Sequence, residues 1–216
     1  MSEILRNFSP DVAGWQFMYI LLIPAVFTVA IAVERAIYIY IKSDINADEF
    51  MKQVRQLVKA GKIKDAYELC KRAGERALPK VVSFGLHAVV NKEEVDFRTV
   101  QNSVDEGMLE VIPRLERRTD YLAMLANVAT LLGLMGTIFG LILSFRAVSA
   151  PGIDPTEKAR LLAAGISTAM NTTLTGLVIA VPANVFYTLL HSKTKKIIDE
   201  IDEHTVKLIN LLTGNK

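Results

Sequence analysis

Hydroxyl and amide side chains recur inside two long apolar segments, and they are the residues of this sequence best placed to do chemistry. The segments cover residues 121–145 and 161–190 and contain no acidic or basic side chain. Apolar segments of this length are typical of membrane spans, since about 20 residues are enough to cross a bilayer. Polar groups within a span usually face a partner helix or a water path. We therefore expect the function to lie between helices.

The polar residues of the first segment recur at helical spacing. Thr130, Thr137 and Ser144 follow one another every seven residues, and Asn127 lies one turn before Thr130. Seven residues make nearly two turns of an α-helix, so these side chains are predicted to share one stripe. We expect this stripe to face a partner helix.

A second polar stripe is predicted in the other segment. Thr173 and Asn184 are eleven residues apart, close to three helical turns, and Thr168 belongs to a neighbouring stripe with Thr172 and Thr175. Hydroxyls in spans can also bond to their own helix or hold neighbouring helices together. Both interpretations remain open from the residues alone.

Four glycines in these segments are predicted to let helices pack closely: Gly133, Gly136, Gly140 and Gly176. The spacing Gly136-x-x-x-Gly140 is the small-residue pattern of closely approaching membrane helices. The first three glycines lack the spacing of a dinucleotide-binding loop, and no nucleophile elbow or Cys/His cluster is found in the sequence. We therefore expect no catalytic residues, no metal site, no cofactor and no enzymatic activity.

A third span is predicted at residues 14–41, and charge sets the orientation of all three. Lysine and arginine are concentrated between the first two spans and after the third, and such residues favour the cytoplasmic side. Glu34 and Arg35, at the cytoplasmic end of the first span, are predicted to form an ion pair. The net charge of +2 is too small to indicate a nucleic-acid partner.

The cytoplasmic residues are predicted to be helical. Asn46 with Glu49 indicates a helix start, and glycines at 61 and 74 indicate breaks. A single helix is predicted from Glu94 to Arg146, bent at Pro113. The third span is predicted to continue as a helix into the cytosol.

The span sequences resemble the MotA/TolQ/ExbB family. The run LAMLANVATLLGLMGTIFG at residues 122–140, preceded by LERR at 115–118, looks like the second span of that family. The run GISTAMNTTLTGL at 165–177, followed by AVPA at 180–183, resembles its third span, and Val33-Glu34-Arg35 resembles the end of its first. Three spans with the N-terminus outside are similar to the ExbB/TolQ branch.

The resemblance implies a fold with three transmembrane helices and long cytoplasmic helical extensions, an all-α membrane protein of the cell inner membrane. The N-terminus would be periplasmic and the C-terminus cytoplasmic. With the apolar runs and the distribution of lysine and arginine, the predicted segments are a periplasmic N-terminal segment at 1–13, transmembrane helices at 14–41, 121–145 and 161–191, a cytoplasmic helical region at 42–120, a periplasmic link at 146–160 and a cytoplasmic C-terminal helix at 192–216.

The resemblance also implies a function, that of the channel-forming subunit of a motor driven by the proton motive force. Five copies would surround a dimeric ExbD/TolR-like partner, whose single span carries an intramembrane aspartate. Thr137 and Thr173 fall on the pore threonines of the family and would face that carboxylate. A TonB- or TolA-like protein would receive the work across the periplasm, and the ion would be H⁺, with Na⁺ as an alternative.

One position departs from the family pattern, and other functions compete. Many ExbB and TolQ chains carry glutamate early in the third span, where this chain has Thr168. A non-conducting membrane scaffold, or a stator for gliding or another specialised motor, are the alternatives. The sequence leaves open whether nutrient uptake, envelope maintenance or another process is powered.

Overall fold

The computed structural model describes residues 15–90 and 96–214, and all of its regular structure is helical within those residues. Helix α1 spans Trp15–Ala36 and continues as a π-helical segment at Ile37–Ser43. The other helices are α2 at Ala47–Lys59, α3 at Ile63–Arg72, α4 at Ala77–Val90, α5 at Phe97–Glu116, α6 at Asp120–Val148 and α7 at Pro155–Thr213. The predicted all-α class is confirmed.

Three helical stretches are long and apolar enough to cross a membrane, as the sequence predicts. They lie within Trp15–Lys59, Phe97–Val148 and Pro155–Thr213. The third stretch is one helix, α7, so the predicted continuation of the third span as a helix is confirmed. The orientation and the segment boundaries stay predictions, and residues 1–13 lie outside the described part of the chain.

The short helices begin and end at the residues that the sequence indicates. The Asn46 side-chain oxygen accepts a hydrogen bond of 3.3 Å from the backbone N–H of Glu49, which caps the first turn of α2. Gly61 and Gly74 follow α2 and α3 with φ of +74° and +73°. Glycine adopts this left-handed conformation without the steric cost of a Cβ, which allows each chain turn.

The predicted helix from Glu94 to Arg146 is wrong, since the chain is interrupted between α5 and α6. Arg118 has a φ of 66°, a left-handed conformation that cannot continue a right-handed helix. Pro113 is accommodated inside α5. The break therefore occurs five residues after the proline, and Glu94 lies outside the described residues.

The chain divides into two compact units, and the first contains residues 15–33 and 118–188. Its core joins α1 to α6 and α7 around Leu21, which is fully buried among the small side chains of Ala126, Ala129, Ala180 and Ala183. The ring of Phe17 also contacts that of Phe139, with 5.3 Å between centroids. Small residues on α6 and α7 thus leave room for the larger side chains of α1.

The second unit contains residues 34–90, 96–117 and 189–214, with α4 packed against α5. A methyl group added at Gly85 would lie 2.8 Å from the Val104 side chain, and one added at Gly107 would lie 3.0 Å from the ring of Phe84. The two helices therefore depend on glycine at these crossing points. Charged side chains join the ends of the pair: Glu75, Lys80, Glu110 and Arg114 form a network of ion pairs.

Arg35 is buried in the second unit and completes the end of α5. Its guanidinium donates hydrogen bonds to the backbone carbonyls of Arg114, at 3.3 Å, and Leu115. The last carbonyls of a helix have no partner within the helix, so a buried cation there is favourable. Glu34 is exposed, and its predicted ion pair with Arg35 stays a prediction.

His204 is the buried titratable group of α7 outside the predicted span. Its side chain is only 4% exposed, and its Nε2 lies 3.6 Å from the carboxylate of Asp48 on α2. Burial lowers the pKa of His204 below its ordinary 6.5; the nearby cations Arg55 and Lys207 act in the same direction, and the carboxylates of Glu203 and Asp48 oppose them. The neutral imidazole is therefore the form that the fold holds.

We expect acid to destabilise the chain through His204. The unfolded state binds a proton at pH values where the buried imidazole does not, so this stability is present above pH 6.5 and is lost as the pH falls through the lowered pKa. His204→Gln should flatten the dependence of the melting temperature on pH between about 7.5 and 5.5. His87→Gln, at an exposed position on α4, is the control, and equal slopes for the wild type and His204→Gln would contradict the expectation.

Candidate functional site

The backbones of α6 and α7 touch along a line of small residues, which we call the α6–α7 seam: Gly133, Gly136 and Gly140 on α6 with Ala169, Thr172 and Gly176 on α7. A methyl group added at Gly176 would lie 2.6 Å from the carbonyl oxygen of Ala129, and one added at Gly133 would lie 3.1 Å from that of Thr172. These are backbone atoms, which cannot rotate away as a side chain can. The four predicted packing glycines all lie buried in this seam.

Thr173 lies half-buried at the edge of the seam and makes a hydrogen bond from one helix to the other. Its hydroxyl donates to the carbonyl oxygen of Gly133 over 3.2 Å. Thr168, Thr175 and Thr188 of the same helix instead donate to carbonyls of α7 itself, four residues earlier. The contact between the glycines allows the Thr173 bond, because it brings the α6 carbonyl within reach of the α7 hydroxyl.

Thr137 is anchored beside it. Its hydroxyl donates over 2.6 Å to the carbonyl oxygen of Leu134, the residue next to Gly133. The two predicted pore threonines therefore bond to carbonyls of consecutive residues of α6. This juxtaposition of Thr137 and Thr173 is the central feature of the candidate site, and both side chains keep part of their surface exposed.

The other predicted stripe residues differ in burial: some are exposed, and one is buried. Thr130 donates to Ala126 over 3.0 Å and, like Asn127 and Asn184, is exposed. Ser144 is buried, donates to Gly140 over 2.8 Å and packs against Gly165 so closely that a Cβ there would overlap its hydroxyl. Ser144 therefore fills the seam and is covered by α7 in this chain.

Thr172, which the sequence analysis places in a stripe with Thr168 and Thr175, is a residue of the seam. It is 1% exposed and donates over 2.7 Å to Ala169, and a methyl group added at Gly136 would lie 2.7 Å from its hydroxyl. Its position one residue before Thr173 and four before Gly176 is the sequence signal that places it on the small-residue face. Thr172 fills the space that Gly136 leaves.

The chemistry available at the seam is that of neutral oxygens. Within the described residues, no group of three or more His, Cys, Asp or Glu side chains is placed to hold a metal ion. Hydroxyl and carbonyl oxygens can accept hydrogen bonds or contact a hard cation such as Na⁺. The arrangement is suited to binding or passing a proton-bearing group or an ion.

Comparison with known proteins assigns this arrangement to a family. Residues 73–203, more than half of the chain, match the model of the MotA/TolQ/ExbB proton channel family. The chain belongs to this family. Membership of this family makes it a multi-pass protein of the inner membrane, and its three apolar helical stretches are long enough to cross one.

Among individual relatives, the biopolymer transport protein ExbB of Aquifex aeolicus is 31% identical over 101 residues, which are 46% of this chain and 65% of that protein. Biopolymer transport protein exbB1 of Vibrio cholerae is 39% identical over 90 residues, 42% of this chain and 38% of that protein. The chain thus spans less than two thirds of the length of these curated relatives. The similarity is of the ExbB/TolQ type.

The fold is similar to that of the solved structure of C. jejuni MotAB. The match has a TM-score of 0.68 and covers 98% of this chain and 81% of that chain, at 17% sequence identity. At this identity the likeness shows the fold. The MotA/TolQ/ExbB fold is thus present along nearly the whole chain.

We expect the seam to tolerate a methyl group at some glycines and not at others. Gly176→Ala should destabilise the chain by about 1–3 kcal/mol, because the added Cβ meets the backbone oxygen of Ala129. Gly140→Ala, whose Cβ would meet the Ala169 side chain at 3.1 Å, should cost less. Denaturant unfolding in micelles measures both, and equal losses would show that the backbones are not in contact at Gly176.

Proposed function

We propose that this chain is the channel-forming subunit of an ion-driven motor in the inner membrane, of the ExbB/TolQ type. The observation that carries the proposal is the pairing of Thr137 and Thr173 on consecutive carbonyls of α6. Two partly exposed hydroxyls are thereby anchored to neighbouring carbonyls of one predicted span. Family membership supports the same function.

The motor requires an ionisable group that can carry the ion, and this chain's second and third predicted spans contain no carboxylate, lysine or arginine; His191 is the last residue of the third. Proton pathways in membranes use ionisable side chains, so a partner is proposed to supply one. We propose an ExbD/TolR-like dimer whose single-span helices each carry an aspartate facing Thr137 and Thr173. The chain is similar in fold to a solved structure of MotAB, a name that stands for MotA together with MotB. This similarity supports an assembly with a partner chain.

In the proposed mechanism, five copies of the chain surround the two partner helices. Entry of an ion, H⁺ or Na⁺, neutralises one partner aspartate, and its release restores the charge. A carboxylate is costly in an apolar channel, whereas its neutral form is not, so each ion drives a movement of the partner helices. The N-terminus is proposed to be periplasmic, and a TonB- or TolA-like protein would receive the work.

A non-conducting scaffold is the competing function, and one observation favours it. The hydroxyls of Thr130, Thr137, Ser144 and Thr168 bond to their own helices, as residues that serve only packing would do. In that case no partner carboxylate would be needed. Ion flux and the identity of the partner separate the two functions.

The first experiment is native mass spectrometry of the complex extracted gently from its own membranes. We expect five copies of this chain with two copies of a small single-span protein that carries an intramembrane aspartate. The identity of that protein would also indicate which process is powered. A stable oligomer without such a partner would support the scaffold.

We expect Thr173→Val and Thr137→Val each to reduce ion flux through the reconstituted complex about tenfold or more, because an oxygen facing the ion pathway is lost. Val keeps the shape of Thr, so the oligomer should still assemble. Flux in proteoliposomes and oligomer mass measure the two effects.

The matched control is Thr188→Val, since Thr188 is exposed on the same helix and bonds to Asn184. It should leave the flux unchanged. Wild-type flux in Thr173→Val, or loss of the oligomer in place of the flux, would contradict a pore role for this threonine.

A further inference from the structure

The hydroxyls of Thr137 and Thr173 both donate hydrogen bonds to backbone carbonyls of this chain. Each hydroxyl lies within hydrogen-bond distance of a backbone carbonyl, 2.6 Å from Leu134 and 3.2 Å from Gly133. A carbonyl oxygen can only accept, so in each pair the threonine must be the donor. A hydroxyl has one proton to donate, and what remains on each threonine oxygen is lone pairs.

The carbonyl of Gly133 is available to Thr173 because its neighbour Thr172 has a nearer acceptor. Thr172 lies 3.4 Å from the Gly133 oxygen but 2.7 Å from that of Ala169, where the shorter bond takes its single proton. A carbonyl oxygen has two lone pairs, one for the helical N–H and one for a hydroxyl. Gly133 thus has one acceptor position left, and Thr173 uses it.

Turning either hydroxyl away from its carbonyl would cost the free energy of a hydrogen bond. Each bond satisfies a hydroxyl that the apolar side chains around it in the span could not satisfy. The close contact of Gly133 with α7 also holds the Thr173 backbone, whose Cα would lie 3.3 Å from a methyl group at Gly133. The donor direction of Thr173 is therefore set by the packing of the seam, and that of Thr137 by its 2.6 Å bond within α6.

We propose that Thr137 and Thr173 form an acceptor-only site, which binds a hydrogen-bond donor or a cation and disfavours an anion. This inference rests on the proposed function, in which a partner carboxyl faces the two threonines. The group recognised would be the protonated carboxylic acid or a bound Na⁺, which share the need for oxygen lone pairs. The charged carboxylate would meet lone pairs and would be released from the site.

The donor assignment can be tested on the chain alone by infrared spectroscopy after labelling its twelve glycines with ¹³C at the carbonyl carbon. We expect Thr173→Val to shift one component of the labelled band, about one twelfth of its area, to higher frequency, since Gly133 loses a hydrogen bond. Thr173→Ser should restore the wild-type band. An unchanged band in Thr173→Val would overturn the proposal.

Two matched variants calibrate this measurement. Ser144→Ala should give a shift of the same kind, because Ser144 donates to another glycine carbonyl, that of Gly140. Thr175→Val should give none, because Thr175 donates to Asn171. The labelled band thus separates a hydroxyl bonded to glycine from one bonded elsewhere.

The ligand class is tested by titrating the partner carboxyl in the purified complex in Na⁺-free buffer, through the infrared band of its protonated form. If the threonines only accept, Thr173→Val removes a bond to the protonated form, and the pH midpoint of the titration should fall. If they donate to the carboxylate, the same variant should raise the midpoint, which would overturn the proposal. Since Val and Thr are nearly the same size, the burial of the carboxyl changes little.

Repeating the titration in Na⁺ and in choline distinguishes the two ligands. A midpoint that falls with increasing Na⁺ would show that the site binds Na⁺. A midpoint that does not change with Na⁺ would show that it binds the protonated acid. Both results support an acceptor-only site. A complex with no titrating carboxyl would contradict the proposed function. The glycine band would still decide the donor assignment in that case.

Discussion

The contact between the backbones of α6 and α7 at Gly133 and Gly176 is the constraint on which the candidate site depends. A Cβ at Gly176 would lie 2.6 Å from the carbonyl oxygen of Ala129, and one at Gly133 would lie 3.1 Å from that of Thr172, so both positions favour glycine. The Gly133 carbonyl consequently comes within reach of the Thr173 hydroxyl. In lipid there is little hydrophobic force between helices, so close packing and such cross-helix bonds are what hold the seam together. The same contact thus provides both cohesion and the placement of a functional group.

The hydroxyl side chains of α6 and α7 show how a span can carry polar groups at low cost in free energy. An unsatisfied polar group in the hydrocarbon costs several kcal/mol, whereas a hydroxyl bonded to a carbonyl's second lone pair is satisfied within the helix pair. Thr130, Thr137 and Ser144 use this device on α6, and Thr168, Thr172 and Thr175 use it on α7. Each hydroxyl oxygen keeps its lone pairs after donating its proton to a carbonyl, so it can still accept a hydrogen bond or contact a cation.

Much of the fold could be predicted because its signals are local. Apolar runs define the three spans, and the Asn46–Glu49 pair defines the start of α2. The break at Arg118 could not be predicted, since the helical pattern continues across it and the left-handed residue is not a glycine.

The site was predictable only to within a helical turn, for a geometric reason. A seven-residue repeat drifts about 20° per heptad on a straight helix, so Ser144 rotates away from Thr130 and into the seam. Thr172 and Thr173 are neighbours in sequence, and only the rotation of α7 against α6 decides which one donates to Gly133 and which to its own helix. That rotation depends on contacts between distant residues, which no local pattern records.

A site of neutral acceptors also explains why the charge in the proposed motor would belong to another chain. An ionised side chain in the second or third span would be expensive during insertion of this chain, before any partner could compensate it. Hydroxyls bonded to carbonyls carry no such cost, so the helices can pack before assembly. Their lone pairs would gain a function only when a partner helix brings a proton donor to them. Division of the pathway between two chains would therefore lower the cost of inserting each span into the bilayer. It would also couple ion passage to movement of the partner, because the site would hold the carboxyl only when a proton or Na⁺ neutralises it.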